Sequence, residues 1–240
     1  MTRASVRRAG TAVRGALGAV RRRAGAIAGL GALAVAYWTA VRPRLLTWGA
    51  TASEVRRSLP GDDRLPDADV DSTMAITVNA PPEAVWPWLL QLGQDRGGFY
   101  SYEWAENLFG LDIHNADHVI TAHQRLAVGD EVRLASADRY PESVLEVAEL
   151  DPERALVLVS PGDPTWWVWS FVLDPVDGGT TRLLVRSRNR LPANPVVRLG
   201  ATLAMEPVVF AMTREMLRGI RDRAERLSAR PVAAPDFTER

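Results

Sequence analysis

The side chains best equipped for chemistry crowd into one stretch of the chain. All three histidines, His114, His118 and His123, fall within eleven residues, and His114 and His118 are four apart. On a helix that spacing puts both imidazoles on one side beside Asp117, where they could share a metal ion. The Asn115-Ala116-Asp117 between them has loop character and there is no H-E-x-x-H, so the expectation is a hydrogen-bonded loop and no metal. Four carboxylates, Asp95, Glu103, Glu106 and Asp112, flank the neighbouring aromatic run. Any of them could serve as a general base if buried, while charge spacing on helices, solvated or paired with arginine, accounts for them equally well. Gly93, Gly97 and Gly98 lack the strand-turn-helix order of a phosphate or dinucleotide loop, and Ser101, Ser160, Ser170 and Ser187 lack a G-x-S-x-G elbow. Catalytic residues stay unassigned, and no cofactor is expected.

Composition narrows the chemistry further. The 240 residues contain no cysteine, which removes disulfides, thiolate nucleophiles and cysteine-held zinc or iron–sulfur clusters. All 29 basic residues are arginine, so there is no lysine for a Schiff base or a phosphate loop. The formal charge of zero conceals an asymmetry: residues 1–23 carry seven arginines and no acid, leaving the rest of the chain with a net charge of minus seven. An acidic body makes nucleic acid an unsuitable partner.

The basic head runs into residues 24–41, eighteen positions without a charge, bounded by Arg21-Arg22-Arg23 and by Arg42 and Arg44. As a helix this stretch reaches about 27 Å, close to the hydrocarbon thickness of a bilayer. Tyr37, Trp38 and Trp48 suit the interface. The expectation is a single transmembrane anchor; a cleaved signal peptide with Ala34-Val35-Ala36 as its site, and an apolar soluble helix, are the competing readings. Arginine counts on the two sides lean towards a cytoplasmic amino terminus and an extracytoplasmic domain at the cell membrane. Gly25 and Gly29 form a G-x-x-x-G that could pair two such helices in a dimer. Residues 42–71 read as a linker, solvated through its Leu59-Pro60-Gly61-Asp62-Asp63 and Leu65-Pro66-Asp67 segments, and residues 230–240 as a tail.

Beyond the linker, alternation from Met74 to Asn79 predicts a strand, and Pro81-Pro82-Glu83 opens a helix. A second helix is expected over 101–110 with Ser101 as its N-cap. Strands follow over 131–135, 144–150, 155–160, 165–173 and 181–189, at hairpin spacing that makes the sheet antiparallel. Val209, Met212, Met216, Ile220 and Leu227 then mark one face of a long closing helix, with Pro207 at its start or at a kink. The order is that of an α+β domain. On the strand over 165–173, the fifth of the domain, Trp167, Trp169 and Phe171 share the expected inner face; on the next, Leu183, Val185, Ser187 and Asn189 do. The opposite side of that last strand is a ladder of Arg182, Arg186, Arg188 and Arg190, expected to be solvated or to meet an anionic lipid or partner.

Three tryptophans and two tyrosines lie in Val85-Trp86-Pro87-Trp88-Leu89-Leu90-Gln91-Leu92-Gly93-Gln94-Asp95-Arg96-Gly97-Gly98-Phe99-Tyr100-Ser101-Tyr102-Glu103-Trp104. With the Ile76-Thr77-Val78-Asn79-Ala80-Pro81-Pro82-Glu83 lead-in, Asn115-Ala116-Asp117, Val128-Gly129-Asp130 and Met216-Leu217-Arg218-Gly219-Ile220, this resembles the START-like superfamily, also called SRPBCC or helix-grip, in its bacterial polyketide cyclase/dehydrase-like branch. The resemblance covers roughly residues 72–229. It implies a sheet wrapped around the closing helix with an apolar cavity between them, and a lipid- or polyketide-like ligand. Trp88, Tyr100, Tyr102, Trp167, Trp169, Phe171, Asn189, Met212 and Met216 are the expected ligand-binding residues, the methionines forming a deformable wall. A membrane-anchored binding domain for a hydrophobic or amphipathic molecule is the leading expectation. The alternatives are a polyketide cyclase or dehydratase using the same cavity, and a non-catalytic envelope or stress-associated interaction module.

Overall fold

The structure, a computed structural model, describes residues 28, 29 and 31–229. The basic head, residues 24–27 with Gly25, and the tail 230–240 lie outside the described residues. The chain divides into two compact units, Met1–Arg44 and Leu45–Arg240. In the first, residues 31–36 are α-helical and Tyr37–Val41 form a π-type turn. Leu33, Val35, Trp38 and Val41 of this helix are exposed, and the Arg42 guanidinium covers the Trp38 ring at 4.8 Å. A short helix α1 (Arg42–Leu46) follows in sequence.

The second unit contains α2 (Ala52–Arg56), β1 (Val70–Val78), α3 (Pro82–Leu90), α4 (Glu103–Leu108), β2 (Glu131–Arg133), β3 (Val144–Asp151), β4 (Ala155–Val159), β5 (Trp167–Val176), β6 (Thr180–Asn189), α5 (Pro195–Gly200) and α6 (Glu206–Ser228). The six strands form one antiparallel sheet in the order β1-β6-β5-β4-β3-β2. Sequential hairpins lay β2 to β6 side by side, and β6 then pairs with β1, so that the first and last strands meet. Helix α6 packs on the inner face, with Met216, Leu217, Ile220 and Ala224 buried against α3 and β1. This α+β architecture fits the helix-grip arrangement expected from the sequence.

Two local features set the closeness of that packing. Pro207 follows a π-type turn at Ala201–Met205 that joins α6 to α5, an irregularity in the helical hydrogen bonding next to a residue with no N–H to donate. At Gly219 a Cβ would sit 2.2 Å from the Tyr100 carbonyl oxygen, so only glycine lets the helix come this near the segment after α3.

Helix α4 corrects one expectation: its N-cap position is Tyr102, and the Ser101 hydroxyl, instead of capping, donates to Glu106. The segment expected to be a solvated linker is corrected more thoroughly. Residues 54–66 lie against the outer face of the sheet, with Leu59 and Leu65 almost fully buried over Ala75, Val172 and Leu184 and over Val157 and Val168. A Cβ on Gly61, whose φ is +88°, would stand 2.7 Å from Val157 Cγ1 and 2.9 Å from Ser170 Oγ. Three rungs of the arginine ladder are accordingly internal. Arg182 binds the Glu54 carboxylate at 2.7 Å; Arg186, 2% exposed, binds Asp62 at 2.6 Å and the carbonyls of Glu54, Val55 and Arg57; Arg188 binds Asp71 at 2.8 Å and the carbonyls of Leu65 and Pro66. The physical reason is stoichiometric. An irregular segment pressed on a sheet has carbonyls without ladder partners, and guanidinium groups carry enough donors to satisfy several at once. Arg190 alone of the four is exposed.

Candidate functional site

The inner face of β5 and β6 is built by alternation. In register, Trp167 faces Asn189, Trp169 faces Ser187 and Phe171 faces Val185. The three rings form a continuous aromatic stripe: Trp167 and Trp169 stack at 5.5 Å with 26° between planes, and Trp169 meets Phe171 at 4.8 Å and Phe99 at 6.1 Å. The Trp167 indole N–H and the Asn189 amide both donate to Ser187 Oγ at 2.9 Å, which fixes the first ring against the sheet.

Between this stripe and the helical segment Ala201–Met216 the packing is incomplete. Two adjoining spaces open there, of about 340 Å³ and about 210 Å³, sharing Trp167, Ser187, Val209 and Thr213 as common walls. The larger reaches β1 at Val70, Ser72 and Met74 and is closed on its other side by Met205, Val209 and Phe210, with Leu45 and Leu46 also on its wall. The smaller lies over Trp169 and is bounded by Met212, Met216, Phe99 and Leu134. Their walls are overwhelmingly apolar, the composition of a site for a small organic molecule. The neighbouring helix surface is apolar too: Val196, Val197, Leu199, Leu203, Met205, Val208 and Val209 are about half exposed or more. Pro195–Ser228 is the one helix among the described residues long and apolar enough to cross a membrane, although its later half is a wall of the domain.

Among the described residues, the smaller space has one ionisable side chain on its wall. Glu106, 6% exposed, accepts a 2.6 Å hydrogen bond from Ser101 Oγ through Oε1, while its buried Oε2 has no partner. Burial pushes this carboxyl above its ordinary range, the Ser101 hydrogen bond opposes the shift, and the nearby Glu103 adds to it.

The expected site residues thus separate into two groups. Trp167, Trp169, Asn189, Met212 and Met216 line the cleft. Trp88, Tyr100, Tyr102 and Phe171 do not. Trp88 and Tyr100 are each 2% exposed and pack edge-to-face at 5.8 Å, the tyrosine hydroxyl donating to the Trp88 carbonyl at 3.0 Å. Burial raises the Tyr100 hydroxyl far above the usual range, and Arg223 covers its ring at 4.8 Å. Phe171 is fully buried behind Trp169, and Tyr102 packs on Trp104 at 6.5 Å, outside the cleft. Cleft residues not anticipated include Phe99, Leu134, Phe210 and Thr213; of these, Thr213 follows Met212 on the helix face and was within reach of the same periodicity.

The histidines are mostly exposed. His114 approaches Glu103 at 3.4 Å and Asp112 at 3.3 Å, and His118 pairs with Asp117 at 2.7 Å. Among the described residues no group of three or more His, Asp or Glu is placed to hold a metal ion. The Asn115 side chain instead does structural work, accepting from the backbone N–H of Phe99 and Tyr100 and donating to the Ser101 carbonyl.

Comparison with known proteins gives only distant likenesses. No family model matches the chain, and no curated protein matches it. Among solved structures, CalC, a self-sacrificing resistance protein from Micromonospora echinospora, is similar at 11% identity and a TM-score of 0.42, over 68% of this chain and 99% of CalC. A protein from Nitrosomonas europaea is similar at 16% identity and 0.40, over 68% and 99% of the two chains. One from Thermus thermophilus is similar at 18% identity and 0.37, over 67% and 100%.

Proposed function

We propose that this protein binds an apolar or amphipathic small molecule, lipid- or polyketide-like, in the cleft between the aromatic stripe and the closing helix, and does so at a membrane. The observation that carries the reading is the cleft itself: two joined apolar spaces, one face stacked indoles and the other methionine and valine. Residues 24–41 would supply the anchor, the G-x-x-x-G at Gly25 and Gly29 a route to a dimer, and the arginine bias an extracytoplasmic domain. The test is titration with diphenylhexatriene, an uncharged hydrocarbon that fluoresces on entering an apolar site. Saturable binding at about one probe per chain is expected, weakened about tenfold or more when Met212→Trp fills the smaller space. Absence of binding by the unaltered protein would remove the reading.

A second reading, a cyclase or dehydratase working in the same cleft, is favoured by Glu106. A buried carboxyl pushed above its ordinary range favours the protonated form and can pass that proton to a substrate oxygen. It predicts loss of water from a β-hydroxyacyl thioester, the Glu106 proton leaving with the hydroxyl and the α-carbon proton returning to the carboxylate so formed, measured by absorbance of the conjugated product. Loss of that turnover in Glu106→Gln would support it, and an inert wild-type protein would dismiss it.

A further inference from the structure

We infer that Glu106 is the point at which the cleft recognises its ligand, its Oε2 donating a hydrogen bond to a carbonyl or hydroxyl oxygen on an otherwise apolar molecule. The inference rests on the cleft being a binding site and adds the chemistry of what it selects. Among the described residues, Glu106 is the only ionisable group on the wall of the smaller space, beside Trp169, Phe99, Leu134 and Met212. Its two oxygens are used unequally. Oε1 is occupied by the Ser101 hydroxyl, which holds the carboxyl in one orientation, whereas Oε2 is buried and has no hydrogen-bond partner among the described residues. A buried polar atom left so is costly, and an interior group of this kind calls for a partner that arrives with the ligand.

The surroundings decide which proton state meets the ligand. From the elements packed around it, β5, β6 and α6, the cleft presents Trp167, Trp169, Ser187, Thr213 and apolar side chains, none of them charged. Within its own helix the neighbouring charge is Glu103, of like sign. Desolvation, aided by that repulsion and opposed by the Ser101 hydrogen bond, favours the uncharged acid, which carries a proton on an oxygen and can donate it. The complementary ligand is therefore an acceptor oxygen, with the ring or chain bearing it laid on the Trp169 and Phe99 faces. A cationic amine would need the carboxylate form instead.

Prodan, an uncharged naphthalene ketone whose emission moves to the red when its carbonyl accepts a hydrogen bond, tests this on the intact protein. Bound prodan is expected to emit to the red at the acid end of a pH titration, and to lose the shift and about tenfold in affinity as the pH rises and Glu106 ionises. Glu106→Gln keeps a donor and should bind prodan without that pH dependence; Glu106→Ala should lose the shift and the affinity at every pH. Diphenylhexatriene, which has no acceptor, should bind all three proteins alike. Prodan bound equally by Glu106→Ala, with hydrocarbon binding intact, would overturn the role of Glu106 and leave the cleft reading standing. Displacement of prodan by dodecylamine that strengthens with pH and vanishes in Glu106→Gln would also overturn it, because the carboxylate would then be a cation site. Failure of both probes to bind would take the cleft reading down with it.

Discussion

The two faces of one sheet are closed by opposite means. The outer face is covered by residues 54–66, a segment of irregular backbone, and the seam is polar: guanidinium groups of β6 reach through to carboxylates and carbonyls, and Leu59 and Leu65 fill what remains. The inner face is covered by a regular helix, and the seam is apolar. A helix brings no free carbonyls to satisfy, so burial of apolar surface at Met216, Leu217, Ile220 and Ala224 holds it on the sheet, and near Met205 to Met212 the packing does not fill. A polar lock tolerates no gap, since a missing partner leaves a buried charge, whereas an apolar seam tolerates a cleft at the cost of lost dispersion contacts. The polar lock lies on one side of the sheet, and the larger apolar core, with room left in it for a ligand, on the other.

Removing the outer cover should have the largest effect. A chain beginning at residue 70 would expose Val157, Val168, Val172 and Leu184 and leave Arg186 without most of its partners. The expected product is aggregated or unfolded, by loss of near-ultraviolet circular dichroism and of a cooperative melt. A truncated domain as stable as the full chain would show that the segment merely rests on the sheet. Next comes Arg186→Ala, which strands Asp62 in a site where the pair is almost wholly buried. A loss of about 3–5 kcal/mol in urea denaturation is expected. A loss below about 1 kcal/mol would place the lock on the level of an ordinary surface pair.

What could be read from the sequence follows the same division. Alternation placed Trp167, Trp169 and Asn189 on the inner face, and helical spacing placed Met212 and Met216 opposite them, because both are local periodicities that a regular element obeys. Trp88 and Tyr100 went astray since residue type alone does not say which face of a helix or turn meets the core; their burial depends on Gly219, more than a hundred residues later. The outer segment was illegible for a related reason. Proline, glycine and aspartate report irregular backbone, and irregular backbone was equated with solvent exposure, yet its partners are arginines about 120 residues away. The burial of Glu106 depends in the same way on β5 and α6 closing over a six-residue helix.

Acid should loosen the outer face by a smaller amount. The Arg182 guanidinium holds the Glu54 carboxyl down to about 2, against an ordinary value of 4.5, with the Thr51 N–H and hydroxyl assisting and burial opposing. A depressed folded-state value gives stability that is fully present above pH 4.5 and lost as the pH falls through about 2. Since Glu54 is only partly enclosed, roughly 1–3 kcal/mol is expected over that window. Urea midpoints measured between neutral pH and about 2.5 should show it, and the part due to this pair should vanish in Arg182→Met. An unchanged acid profile in that variant would assign the acid sensitivity elsewhere.

The smallest effect on stability should come from filling the cleft, and it gives the sharpest contrast when set against the same substitution one and a half turns along the same helix. Met212 borders the smaller space, whereas Leu217 is fully buried among packed neighbours. Adding an indole at Leu217 must displace those neighbours or force strained rotamers, at about 1–3 kcal/mol or more, while at Met212 the ring enters a space of about 210 Å³ that is already there. Met212→Trp is expected to change stability by less than about 1 kcal/mol while excluding the hydrocarbon probe, and Leu217→Trp to destabilise while sparing probe binding in whatever remains folded. Equal costs at the two positions would mean that the helix closes the inner face as completely as the arginines close the outer one, and the asymmetry between the faces would be lost with it.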